Sequence, residues 1–164
     1  ELVVIQGVFP PDSLRGQVGH HHIGPRQDPL LPEKIKAVEA KTRSVAERCE
    51  APFILVADRF PFRYFADSYN IDYVAAADGC AISTDISLKT MTRLIDTVRE
   101  KNLKYAYYVE MSNKEISNSL AEQTGVKLLE LHSAHNVTLE DFKNGITYVD
   151  IMERNYKAFK EGMN

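Results

Sequence analysis

From Pro52 onward the apolar positions fall into two alternating patterns: short unbroken runs, and longer stretches that repeat every three or four residues. Phe53, Ile54, Leu55, Val56 and Ala57 form the first unbroken run, the mark of a strand buried on both faces of a parallel sheet. Residues 72–77, 105–109 and 126–131 read as three further strands. Between them the spacing is helical. Residues 60–69 predict a helix that tolerates Pro61 in its first turn. Residues 88–101 carry Leu88, Met91, Leu94, Ile95 and Val98 on one face, behind Ser87 as a fitting N-cap. Residues 114–124 predict a helix stopped by Gly125. Residues 141–160 predict a last one, broken near Gly145, with Val149, Met152, Tyr156 and Phe159 inward. Strands separated by helices imply an α/β fold: a four-stranded parallel sheet with right-handed crossovers and helices on both faces.

The first part of the chain is different. Residues 6–32 hold Gly7, Gly16, Gly19 and Gly24 with Pro10, Pro11, Pro25, Pro29 and Pro32, without sustained periodicity, so residues 1–32 read as an irregular arm. Pro32 then suits a helix start, and Ile35, Val38, Thr42, Val45 and Cys49 recur at helical steps. The predicted division is an arm over 1–32, a helix over 33–50 and an α/β lobe over 51–164.

Composition narrows the function. The chain has 164 residues, 44% of them hydrophobic, and 20 Lys+Arg against 23 Asp+Glu give a net charge of −3. That lacks the basic field nonspecific nucleic-acid binding needs, so no nucleic-acid partner is expected. No run of 18 apolar residues exists to span a bilayer, and the first residues lack a signal-peptide pattern, although a processed chain would look the same. Cys49 and Cys80 allow one bridge or none, and without CxxC spacing they offer neither a redox motif nor a thiolate zinc knot. No GxSxG elbow, P-loop or GxGxxG follows a strand, so no catalytic residue is assigned and no enzyme is expected.

An open α/β sheet binds ligands beyond the carboxyl ends of its strands. There the sequence places Asp58, Glu110 and His132, each after a different strand. Mixed imidazole and carboxylate shells suit zinc and manganese, so these three are the candidate metal ligands. Each also has a structural reading: Asp58 as a helix N-cap, Glu110 as a charge at a helix N-terminus or in a salt bridge, His132 as a hydrogen-bonded loop imidazole. The remaining histidines, His20, His21, His22 and His135, are possible accessory metal groups.

With the strands in place, several segments resemble the C-terminal lobe of the zinc/manganese substrate-binding proteins of ABC transporters. They are Ala57-Asp58-Arg59-Phe60-Pro61-Phe62-Arg63-Tyr64-Phe65, Asp78-Gly79-Cys80 leading to Thr84-Asp85, Val109-Glu110, Ala121-Glu122-Gln123-Thr124-Gly125 and Leu131-His132-Ser133. The run from Asp58 to Phe65 is similar to a subgroup from Gram-positive bacteria. The resemblance implies a two-lobed metal receptor in which residues 33–50 belong to the linking helix, and His20-His21-His22 with Asp28-Pro29 match the His-rich loop before it. Leu30 stands where the family has a histidine, and the first lobe is missing or reduced to residues 1–19. Second-lobe ligands fall at or beside Asp58 and at His132, with Glu110 at a neighbouring strand end. The implied function is capture of Zn²⁺ or Mn²⁺ outside the membrane and delivery to an ABC permease, by a lipoprotein whose anchor is not in this chain. The alternatives are a metal-incompetent lobe serving as an interaction or adhesion module, and a metal site shared by two copies.

Overall fold

The computed structural model describes residues 3–4, 29–78 and 87–163. In chain order the elements are β1 (Val3–Val4), α1 (Leu31–Arg48), β2 (Phe53–Phe60), α2 (Arg63–Tyr69), β3 (Asp72–Asp78), α3 (Leu88–Glu100), β4 (Tyr105–Val109), α4 (Glu115–Thr124), β5 (Lys127–Leu131), β6 (Asn136–Val137), α5 (Leu139–Lys143) and α6 (Tyr148–Gly162). Four strands pair in parallel in the order β3-β2-β4-β5, the sheet expected from the apolar runs. A separate antiparallel pair joins β1 to β6. Among the described residues no helix is long and apolar enough to cross a membrane.

Because successive strand residues point to opposite faces, β2 feeds two cores. Ile54 and Val56, with Tyr107, Val109 and Leu131, pack against Val45 and Ala46 of α1, Ala66 of α2 and Phe159 of α6. Leu55 and Ala57, with Ala106, pack against Leu94 and Val98 of α3 and Leu120 of α4. Helices therefore cover both faces.

Local chemistry sets the helix ends. The Ser87 hydroxyl accepts from the Thr90 amide as the N-cap of α3. Thr147 and Asp150 close a reciprocal capping box on α6, and Gly125, at φ 78°, ends α4 in the left-handed region an L-residue adopts at a cost. α1 carries Pro32 in its first turn and buries Val38, Thr42, Val45 and Ala46, whereas residues 31–37 are exposed. It lies along α6, where Lys41 reaches Glu153 at 2.6 Å and stands over the Tyr156 ring.

Several expectations are corrected. β2 continues three residues past its apolar run because β3 supplies ladder partners for Arg59 and Phe60. Consequently α2 begins at Arg63, not at residue 60, after Pro61, which has no amide to donate. The C-terminal segment is two helices, with Gly145 at φ 67° between them. Ile151 and Phe159 are the fully buried residues of α6, and Val149, Met152 and Tyr156 are only half-buried. Leu88, expected on the core face of α3, is 89% exposed. Ile35 of α1 is also exposed, and Cys49 is a half-buried free thiol.

One buried group lacks a partner. Among the described residues, Tyr107 Oη is the buried side-chain polar atom without a hydrogen bond. Gly162 closes over it: a Cβ at that glycine would stand 1.9 Å from the hydroxyl oxygen. Burial first, and the charge of Glu161 second, push the phenol's pKa up. Tyr107→Phe is expected to stabilise the chain by about 1 kcal/mol at neutral pH, because a desolvated, unpaired hydroxyl is removed. The raised pKa adds a pH signature. Wild-type stability holds below the unfolded phenol's value of about 10 and falls above it, as only the unfolded state ionises. Thermal melts from neutral to alkaline pH check both parts: Tyr107→Phe should lose less stability on the alkaline side.

Candidate metal centre

The chain steps from β2 to β3 on one side, then crosses back over β2 to β4 on the other. The carboxyl ends of β2 and β4 thus flank the topological switch point, where open α/β sheets bind ligands. A bulge shapes this end of β2. Val56 pairs with Ala75 but Arg59 with Ala77, so Ala57 and Asp58 oppose Ala76 alone. Such an extra residue re-aims the side chains beside it.

Asp58, Glu110 and His132 are 8%, 3% and 5% exposed, so their polar atoms need partners within the protein. Each has them. Asp58 Oδ1 accepts from its neighbour Arg59 N–H at 2.7 Å, and Oδ2 accepts from Val109 N–H at 3.2 Å, tying β2 to β4. Glu110 Oε2 accepts from Ser133 N–H at 2.8 Å and Oε1 accepts from the Ser133 hydroxyl, tying the end of β4 to the loop after β5. His132 is held through its backbone: Asn155 accepts from its N–H and donates to its carbonyl, both at 2.8 Å, joining that loop to α6. The ties run in series across β2, β4, β5 and α6.

Between the two carboxylates lies Arg59. Its Nη1 is 3.8 Å from Asp58 Oδ1 and its Nη2 is 3.7 Å from Glu110 Oε1, while Nη2 donates to the Glu110 carbonyl at 3.1 Å. The His132 ring accepts at Nδ1 from Ala134 N–H at 3.0 Å. Tight loops make these contacts possible. Met111 and Lys114 after β4, and Ala134 after β5, have φ of 57°, 60° and 59°, a conformation that costs an L-residue about 1–2 kcal/mol each.

The three expected ligands thus lie at one sheet edge, with Asp58 and Glu110 meeting through Arg59. Among the described residues no three His, Cys, Asp or Glu side chains converge to hold a metal ion. Asp58 does not cap α2, whose N-cap position is Phe62. His135 is exposed, and its backbone amide donates to the Ser133 hydroxyl at 3.3 Å. His20, His21, His22 and Cys80 lie outside the described residues. Sequence reasoning missed Arg59, Ser133 and Asn155. Arg59 was within reach as a cation directly after a strand-end carboxylate, whereas nothing in the spacing of α6 marks Asn155.

A groove of about 290 Å³ opens beside this edge between α1, α2 and α6. Its walls are mostly apolar, including Val38, Phe65, Tyr69, Met152 and Tyr156, and His132 and Ser133 lie at its strand end.

The parallel sheet, its switch-point cluster and the helix preceding it define an α/β ligand-binding lobe. Residues 31–162 match the family described as zinc-uptake complex component A, periplasmic, and the chain belongs to that family. It is 28% identical over 130 residues to the zinc-binding lipoprotein AdcA of Streptococcus pneumoniae, covering 79% of this chain and 25% of that protein. It is 25% identical to the high-affinity zinc uptake system protein ZnuA of Bacillus subtilis, covering 79% of this chain and 40% of that one. Among solved structures, the metal-dependent lipoprotein YcdH of B. subtilis superposes with a TM-score of 0.66 at 25% identity, over 79% of this chain and 48% of that one. The Zn(II)-bound ZnuA-like domain of S. pneumoniae AdcA shares the fold, with a TM-score of 0.66 over 82% of this chain and 50% of that one. The chain therefore spans half or less of these relatives.

Proposed function

We propose that this chain is one lobe of an extracytoplasmic receptor that captures Zn²⁺ and passes it to an ABC permease. Asp58, Glu110 and His132 are the donors this lobe contributes, and His135 is an accessory group. The observation that carries the reading is the family match over residues 31–162, which includes all three donors. The relatives' names specify zinc, and a mixed imidazole and carboxylate set accepts either zinc or manganese. The family is one of solute-binding transport components, which supports a binding rather than a catalytic role. By the same likeness the chain works outside the cytoplasm, as part of a membrane-anchored lipoprotein.

A zinc shell usually takes four ligands. This lobe supplies two or three, so one copy is expected to bind weakly unless another lobe or a second copy completes the shell. Calorimetric titration of the chain with Zn²⁺ tests this. His132→Ala should weaken binding about tenfold or more, at least the scale of losing an outer partner of a metal ligand. Unchanged affinity would remove His132 from the site. A second reading, a metal-incompetent interaction module, draws on the amide bonds that already occupy both carboxylates. Zinc uptake that depends on His132 would exclude it.

A further inference from the structure

The guanidinium at the switch point stands where a bridging ion would. It comes from the bulged end of β2 and faces one carboxylate from its own strand and one from the end of the adjacent strand. Its side chain is 19% exposed, against 11% for Asp58 and 4% for Glu110. A buried carboxylate pair needs a compensating cation, and Arg59 is the cation here.

Its hold is loose. Both ion-pair distances, 3.8 Å and 3.7 Å, exceed the roughly 2.7–2.9 Å of a tight arginine–carboxylate fork. The firm bonds to the carboxylates come from backbone amides of Arg59, Val109 and Ser133, and these remain if the guanidinium swings away. A departing guanidinium would leave two carboxylates still aimed by those amides, with an oxygen-lined space between them. Such oxygens suit a divalent ion, and an ion and a guanidinium cannot occupy the same space.

We infer that Arg59 is the resident cation of this crevice, and that a divalent metal reaches Asp58 and Glu110 only after the guanidinium has left. This rests on the metal-receptor reading and adds a control to it: metal uptake at the sheet edge is a cation exchange. An empty chain keeps its carboxylates neutralised, and loading is coupled to the movement of one long side chain.

Zn²⁺ and Mn²⁺ alone, titrated into wild type, Arg59→Gln, Glu110→Gln and the double variant, test the exchange. Arg59→Gln should bind either ion more tightly, by on the order of 10-fold, since the internal competitor is gone. Adding Glu110→Gln should abolish that gain, while Glu110→Gln alone should weaken wild-type binding by less, because losing the donor also loosens the guanidinium that competes for the space. The inference is overturned if Arg59→Gln binds no more tightly than wild type, or if Glu110→Gln weakens both backgrounds equally. The two readings separate cleanly. Wild-type zinc binding lost on His132→Ala, with no effect of Arg59→Gln, keeps the receptor and removes the exchange. A gain in Arg59→Gln that needs Glu110, with no wild-type uptake, keeps the exchange and removes the zinc receptor. If Arg59→Gln unfolds, Arg59→Lys carries the test, because one ammonium covers one carboxylate. Added metal must then raise its Tm more than that of wild type, and equal shifts overturn the inference.

Discussion

Glu110→Ala is expected to cost about 3 kcal/mol in urea denaturation, at the lower end for breaking a buried charged pair. The carboxylate is 3% exposed and takes both donors of Ser133, its amide and its hydroxyl. Truncation leaves those donors desolvated without an acceptor, and it leaves Arg59 with Asp58 as its remaining carboxylate. Glu110→Gln keeps an acceptor and should lose about half as much. A loss below about 1 kcal/mol for the alanine variant would mean that water replaces the carboxylate, and that the tie between β4 and the loop after β5 is unimportant to the fold.

Phe159→Ala should be larger, at about 4 kcal/mol, within the range for emptying an aromatic core position. Phe159 is 1% exposed, and its ring meets Phe65 edge-on with centroids 5.5 Å apart. It holds α6 to α2 and to the sheet together, and neither neighbouring element can collapse into the gap without leaving the strands. Phe159→Leu should recover roughly half of the loss, because most of the volume is restored. Midpoint shifts with an unchanged urea slope would confirm a pure stability effect. A change of slope would signal that α6 detaches separately.

Much of the scaffold was readable because buried parallel strands write themselves as apolar runs. Residues 105–109 matched their strand, and Ser87 and Gly125 marked helix ends where their side-chain and backbone chemistry acts. The end of β2 was not readable. Asp58 and Arg59 look like loop residues in sequence, and only pairing with β3, a contact remote in the chain, keeps them in a strand. Leu88 misled for a related reason: helical spacing reports which positions share a face, but not how far the sheet extends beneath it. At the site, the strand-end rule located Asp58, Glu110 and His132 at one edge, as expected. Their hydrogen bonds were invisible, because the donors are backbone amides and Asn155, which no side-chain pattern announces. The same is true of the arginine between the carboxylates, since its neighbour from β4 is 51 positions away.

The opening of α1 has a mechanical consequence. Residues 31–37 are exposed, and burial against the lobe begins only at Val38. Seven helical residues make a rod about 10 Å long whose base is held by α6 and the sheet. A tilt of about 10° at that base would carry Leu31 by about 2 Å, a lever that turns small rotations of the lobe into larger travel. Ile35 on the groove wall beside α6, and Lys34 within electrostatic reach of Asp150, then set how faithfully the orientation of the lobe is passed along the helix.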